Sequence, residues 1–348
     1  MKKDILVHLG GGMGNMLMAT PMMEMLSSGG YAVDLCVQGE TPAVETIFQG
    51  WKPVRTVSSD PSAFEKTHYG YYIFGDEVKG RPIAFPGRNE AILLHPLWDW
   101  HVGFELYSEI ELYTNIARAI DPELPLVSQP GCTHSGRDFD DISSRTCVLI
   151  PGGQKQMVIR KWPHYGTLAE NIEDVAVVGI PSDLDLSNRI VIPAWLRRVL
   201  GKTLSHPGIA WRMARSIAER HDTAMVFPPH VKNYIGKLSL ADTAALINQA
   251  GYVVGNDCGL THLAVALGKP TFAVIGPTSR RKVFPSFLKN VHVISLAYEC
   301  QPCQERRELG VWRESTVQCF CPFRLRCMND LTPDFVLQLV RSQSTGCQ

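Results

Sequence analysis

Residues 5–26 read ILVHLGGGMGNMLMATPMMEML. An apolar run, Ile5–Leu9, gives way to Gly10, Gly11, Gly12 and Gly14, and an apolar stretch follows from Met16 to Leu26. Strand, glycine turn, helix is how a parallel α/β sheet begins, and the turn suits a phosphate because helix-start N–H groups point outward. A dinucleotide fingerprint, G-x-G-x-x-G, needs its third glycine at position 15, where Asn15 stands. Asp34 tempts a ribose contact but falls inside the second apolar run rather than at its end. The glycines also read as simple freedom for a tight turn. The favoured expectation is a loop in which Gly12 and Gly14 let a substrate approach the backbone.

Outward from this stretch the pattern alternates. Tyr31–Val37, Tyr71–Phe74 and Ala91–Leu94 read as strands, Ala43–Phe48 as a short helix, and residues 105–120 carry helical apolar spacing. Residues 121–145 are rich in prolines and polar residues and read as a linker. A second series follows: strands at Thr146–Ile150, Val175–Gly179, Thr223–Phe227, Tyr252–Gly255 and Thr271–Ile275, with helices at Leu240–Ala250 and Thr261–Leu267. Residues 188–232 read as an elaboration with helical pieces at 195–200 and 209–221. Two alternating series predict two doubly wound sheets facing a cleft, with ligands at the carboxyl ends of the strands. The expected division is 1–140, 146–298, and a cysteine-rich segment with a terminal helix at 299–348, that helix packing back onto the first domain.

The 348 residues are 45% hydrophobic and carry 34 basic against 34 acidic side chains. A net charge of zero argues against a broad grip on nucleic acid. No signal-peptide pattern or membrane-length apolar run stands out, so the sequence reads as cytoplasmic. Ten cysteines then need another explanation than disulfides.

The sharper signal is residues 255–278, GNDCGLTHLAVALGKPTFAVIGPT. Asp257 and Gly259 occupy a turn after an apolar run, and Thr261-His262 open a helix whose unpaired N–H groups suit a diphosphate. Gly276-Pro277-Thr278 forms a second turn at the same sheet edge. The block resembles the D-x-G-x-x-H-L-A-x-A-L-G-x-P-T and G-P-T signatures of the ADP-heptose:lipopolysaccharide heptosyltransferases, glycosyltransferase family nine. Weaker likenesses are Gly236-Lys237-Leu238-Ser239-Leu240, Pro151-Gly152-Gly153 with Lys161-Trp162-Pro163, Gly14 with Met18-Ala19-Thr20-Pro21, and Glu109-Ile110-Glu111 with Asn115.

The resemblance implies a two-domain GT-B fold and an inverting transfer of heptose, or a related sugar, from an ADP-sugar donor. The acceptor would be a hydroxyl of a lipopolysaccharide core, another glycan or a protein, with peripheral contact at the inner membrane. It implies that Lys161 neutralises the diphosphate, and that Asp257, Gly259, Thr261, His262 and Thr278 line the nucleotide-sugar site. No cofactor is required for the transfer. In the family motif the residue after the first-turn glycine is aspartate, taken as the base that deprotonates the acceptor. Here it is Asn15, and a neutral amide does not accept that proton. Asn15 then orients the acceptor while another group acts as base, with His8, Asp99 and His101 as candidates. The alternative is a non-catalytic nucleotide-sugar binder or scaffold; an NAD-dependent oxidoreductase is a more distant one.

Cys300, Cys303, Cys319, Cys321 and Cys327 have spacings that fit a structural zinc or iron site, against the plainer reading of reduced structural thiols. Their tail is similar to that of iron-binding autotransporter heptosyltransferases. Residues 98–101, WDWH, read as packing or as a sugar platform, and the methionines between 16 and 25 as helix core.

Overall fold

The computed structural model describes residues 3–39, 41, 43–75, 89–94, 107–153, 158–186, 224–303 and 325–344. The helical pieces expected at 195–200 and 209–221, Asp99, His101, Cys319 and Cys321 lie outside the described residues.

The first sheet holds β1 (Ile5–Gly11), β2 (Val33–Gly39), β3 (Thr56–Ser58), β4 (Tyr69–Phe74) and β5 (Asn89–Leu94), in the order β3-β2-β1-β4-β5. Every pairing is parallel. β1 is buried along its whole length, as a central parallel strand with both faces covered should be. The single helix expected over 16–26 is two: α1 (Met13–Met18) and α2 (Thr20–Ser28). The break falls at Ala19, where the Thr20 hydroxyl donates back to the Leu17 carbonyl and Pro21 enters α2 in its first turn, where it breaks no helical bond. Met16, Met18, Met22, Met23 and Met25 are core, as expected. Helix α3 (Glu109–Ile120) starts where Ser108 and Glu111 form a reciprocal capping box, so Glu111 has a local structural task.

The second sheet comprises β6 (Cys147–Ile150), β7 (Val175–Val177), β8 (Lys232–Asn233), β9 (Tyr252–Asn256), β10 (Thr271–Val274) and β11 (Val291–Ile294), ordered β11-β10-β9-β6-β7-β8. It too is parallel throughout. Its helices are α4 (Tyr165–Ala169), α5 (Leu240–Gln249), α6 (Gly259–Ala266), α7 (Arg280–Val283), α8 (Arg326–Asn329) and α9 (Pro333–Ser344). The strand expected at Thr223–Phe227 is not one: Thr223 lies outside the described residues, and Ala224 makes only a single antiparallel bridge to Asp185. Pro228 and Pro229 follow at once and offer no donors to extend a ladder.

The terminal helix also departs from expectation. Val336, Leu337 and Val340 of α9 join the core of the second sheet with Trp162, Tyr165 and Leu168, not the first sheet. Trp162 Nε1 donates to the Leu331 carbonyl at 2.9 Å and ties this tail down. A different core cluster runs between the sheets, taking Val7, Met16 and Leu17 from one and Val148, Leu246 and Leu263 from the other. Among the described residues, no helix is long and apolar enough to cross a membrane.

Candidate active site at the seam of the two sheets

The carboxyl ends of β6 and β9 are fastened together by Asn256, which is fully buried. Its Nδ2 donates to the Pro151 and Gly152 carbonyls at 2.8 and 3.1 Å. Its Oδ1 accepts from the Trp162 N–H at 3.1 Å and the Tyr165 hydroxyl at 3.0 Å. One side chain thus fixes the Pro151-Gly152-Gly153 turn, the start of α4 and the strand that ends in Asp257. A lone asparagine in an apolar strand carries no motif, so sequence reasoning passed over it; its place beside the Asp257 turn was the available signal.

α6 starts at Gly259, after a Cys258 N-cap whose side chain caps no backbone N–H. Its own ladder begins with the Thr261 and His262 N–H groups bonding back to the Cys258 carbonyl. The Gly259 and Leu260 N–H groups stand before that ladder, at the positive end of the helix. Thr261 is wholly buried, and its hydroxyl sits over Gly255: a β-carbon there would come within 2.3 Å of Oγ1. Thr261 therefore packs helix onto strand, while its backbone belongs to the helix mouth.

Asp257 is 4% exposed and held from two sides. Arg160 Nη1 lies 3.0 Å from Oδ2, an ion pair rather than an aligned hydrogen bond, and His262 Nε2 lies 3.5 Å from Oδ1. Burial pushes the carboxyl up, but the Arg160 charge and hydrogen bonds from His262 and Thr278 outweigh it and leave its pKa well below the usual carboxylate range. The group is an anion at any physiological pH. The His262 ring is stacked on Phe284, centroids 4.4 Å apart and planes 18° apart.

The structure separates two neighbouring cations that the sequence reading did not. Lys161 is 2% exposed, and its ammonium donates to the Ser182 and Asp185 carbonyls at 2.6 and 3.1 Å. It braces the turn after β7, close enough to Asp183 to offset the effect of burial on that carboxyl. The cation at the Asp257 turn is Arg160, whose guanidinium is partly exposed.

The acceptor-side loop meets this turn directly. A β-carbon on Gly14 would come within 2.8 Å of His262 Cδ2, and one on Gly259 within 2.9 Å of Met13 Cε and 3.2 Å of Met13 Cβ. α1 and α6 therefore cross backbone to backbone, each through a glycine. Gly12 is the extended residue that leads into α1, and Asn15, half-buried, lies in the first turn of that helix. So Gly12, Gly14, Asn15, Asp257, Gly259, Thr261, His262 and Thr278 gather at one seam, and Lys161 lies behind it.

Other candidates fall away. Asp34 is a mid-strand anchor: Arg55 grips both its oxygens at 3.0 and 2.6 Å, and the Tyr69 hydroxyl donates to it at 2.7 Å. That removes the residue that made a dinucleotide site attractive. His8 is 2% exposed with both ring nitrogens engaged, Nε2 with the Gln38 carbonyl oxygen and Nδ1 with the Tyr72 hydroxyl, each at 2.7 Å. Gln38 Oε1 only accepts, so Nε2 donates and Nδ1 receives the tyrosine proton, which leaves His8 no lone pair for an acceptor.

Cys36, Cys132, Cys147, Cys258, Cys300, Cys303 and Cys327 are free thiols. Burial pushes Cys36, Cys132 and Cys147 up to about 12 and Cys258 to about 11, so these four are inert packing groups. Among the described residues no group of three His, Cys, Asp or Glu side chains could hold a metal ion. Cys300, Cys303 and Cys327 therefore do not make the expected centre by themselves.

Two parallel Rossmann-like sheets, meeting at a seam where a helix mouth and a glycine loop face each other, are the GT-B architecture of glycosyltransferases. Residues 200–310 match the family model described as glycosyltransferase family 9 (heptosyltransferase), so the chain carries a glycosyltransferase domain of that kind. A comparison with curated proteins by sequence returns no match. Among solved structures, the fold is similar to E. coli ADP-heptose LPS heptosyltransferase II, with 18% identity, TM-score 0.62, and 97% of this chain and 98% of that one covered. It is similar to the glycosyl transferase family 9 protein from Veillonella parvula DSM 2008, with 12% identity, TM-score 0.61 and coverage of 98% and 96%. It is also similar to the dodecameric iron-containing heptosyltransferase TibC of enterotoxigenic E. coli, solved with ADP-D-beta-D-heptose, with 11% identity, TM-score 0.61 and coverage of 100% and 77%.

Proposed function

We propose that the chain transfers heptose, or a related sugar, from an ADP-sugar to a hydroxyl acceptor with inversion at the anomeric carbon. The observation that carries this reading is the meeting of the Asp257 turn and the Gly14 loop at one seam, a cation on one side and a helix mouth on the other. Negative charge develops on the departing diphosphate as the glycosidic bond breaks. Arg160 and the first N–H groups of α6 supply fixed positive potential for it. Asp257, an anion, would repel phosphate and suits instead the hydroxyl donors of the sugar. Thr278 hydrogen-bonds Asp257 and holds it in place. The acceptor, a lipopolysaccharide core, another glycan or a protein at the cytoplasmic face of the inner membrane, enters over Gly12, Gly14 and Asn15.

One residue favours a second reading. Asn15 cannot serve as a base, which fits a protein that binds a nucleotide sugar without transferring it. Titration calorimetry with ADP, UDP, GDP and NAD separates the possibilities. Selective ADP binding, weakened about tenfold or more by Arg160→Ala, supports the donor site. Preference for UDP or GDP changes the donor, and no nucleotide binding at all overturns both readings. For the tail, a bound metal requires Cys319 and Cys321 beside the described cysteines, and elemental analysis of the purified protein tests it.

A further inference from the structure

We propose that His262, held by Asp257, is the general base that takes the acceptor proton in this chain, the task that position 15 cannot perform. This rests on the glycosyl-transfer reading above. His262 is buried, and its Nε2 faces a carboxylate 3.5 Å away. An ionised carboxylate has no proton to give, so Nε2 carries the hydrogen and the lone pair sits on Nδ1. Among the described residues nothing hydrogen-bonds Nδ1. The stacked Phe284 ring fixes the imidazole plane. A histidine oriented by a buried carboxylate, with its second nitrogen unused, is the arrangement general-base catalysis needs.

Its position supports the same role. The Gly14 backbone lies against the Cδ2 edge of the ring, and Asn15 is the next residue. The acceptor loop therefore ends on this imidazole. The charged groups facing the ring are Asp257, from the turn that opens α6, and Arg160 behind that carboxylate. Met13 and Gly14 of α1 and Phe284 after α7 bring no charge. In the step, the acceptor oxygen forms a bond to the anomeric carbon as the bond from that carbon to the diphosphate oxygen breaks. The electron pair of the broken bond leaves with the diphosphate. The acceptor proton passes to Nδ1, and the imidazolium so formed is stabilised by Asp257.

The test follows ADP release from ADP-D-β-D-heptose with water as acceptor, across the imidazole titration range, on the full chain. In the wild type, release rises with pH as the imidazole loses its proton. His262→Gln is expected to lower it about 100-fold or more and to abolish that rise. Calorimetric affinity for ADP stays within about threefold, because the nucleotide contacts are elsewhere. Adding Asn15→Asp to the His262→Gln protein restores release at least about tenfold, since a carboxylate at 15 then takes the proton. A purely structural role for His262 predicts no such rescue. Wild-type rates in His262→Gln, or a double variant as inactive as the single, overturn the proposal. A wild type that binds ADP-heptose yet releases no ADP overturns the base and leaves the donor site standing. A wild type that binds neither ADP nor ADP-heptose overturns the donor reading beneath it.

Discussion

Arg160 and Lys161 are adjacent in sequence and opposite in task. Arg160→Ala removes the strongest partner of a buried carboxylate. The guanidinium is 20% exposed, so the expected cost is about 1–2 kcal/mol rather than that of a fully buried pair. The sign with pH is fixed: the folded-state pKa of Asp257 is depressed, so its contribution is fully present above the unfolded value near 4 and is lost as pH falls through the folded value. The stability gap between wild type and Arg160→Ala should thus be full at pH 7 and shrink only below about pH 4, as urea unfolding at both ends will report. Lys161→Met should cost about 2–3 kcal/mol by leaving the Ser182 and Asp185 carbonyls without their donor, yet weaken ADP binding less than Arg160→Ala does. The sequence resemblance pointed to a cation in this segment. Which of two neighbouring side chains faces the seam depends on the helical turn Val158–Arg160 and on a carbonyl cage built by the distant turn at 181–185, and neither is written in the local pattern.

His8 gives a second residue-scale prediction. Burial lowers its pKa, partly offset by the hydrogen bond from its ring to Gln38. A histidine kept neutral in the fold costs nothing above its unfolded pKa near 6.5, and the unfolded chain gains a proton below it. Stability of the wild type relative to His8→Gln should therefore be flat above about pH 6.5 and fall below it, by up to about 1.4 kcal/mol per pH unit. Unfolding curves from pH 7.5 to 5 will show it. A flat difference would mean that the ring is protonated in the fold.

At the scale of elements, the crossing of α1 over α6 needs glycine for space rather than for backbone angles. Neither Gly14 nor Gly259 has a positive φ. Gly14→Ala would press a methyl against a ring already clamped by Phe284, so relief requires moving α1 or breaking the stack. The expected penalty is about 1–3 kcal/mol. Gly259→Ala meets the flexible end of Met13 as well as its rigid β-carbon and should cost less. Thermal unfolding of the two variants checks the order. Both glycines stood in recognised motifs, and the sequence offered a reason, approach to a substrate, that was incomplete: their β-carbon space is occupied by protein. Helix α9 was legible as a helix from its apolar spacing, but its partner was not, because a face of Val336, Leu337 and Val340 matches any apolar groove of the right shape. The groove is made by Trp162, Tyr165 and Leu168. A chain ending at Asp330 loses that face and the acceptor for Trp162 Nε1, and should lose about 5 kcal/mol or more. Soluble yield and tryptophan fluorescence will report it.

For the whole molecule, alternation of strands and helices made both parallel sheets legible, since buried strands read as apolar runs and the turns after them as glycine and asparagine. The short edge strands β3 and β8 were missed because two or three residues carry no periodicity. How the sheets sit together was not legible at all, for it rests on contacts between segments far apart in the chain. Gln249 Nε2 donates to the Phe139 and Ile142 carbonyls, both at 2.7 Å, and Gln129 Nε2 reaches the Phe287 carbonyl at 3.0 Å. With these goes the core shared by Val7, Met16, Val148 and Leu263. Two sheets that own part of one core cannot shed it separately without exposing apolar surface on both. Unfolding is therefore expected in a single cooperative transition, with tryptophan fluorescence and far-ultraviolet circular dichroism tracing the same curve in urea. Trp162 reports the second sheet and Trp51, packed against the shared core, the first. ADP, bound through the second sheet alone, should shift the signals of both tryptophans together. A first-sheet signal that stays put while the second moves would mean that the shared core does not couple them, and that the seam opens as a hinge between independent halves.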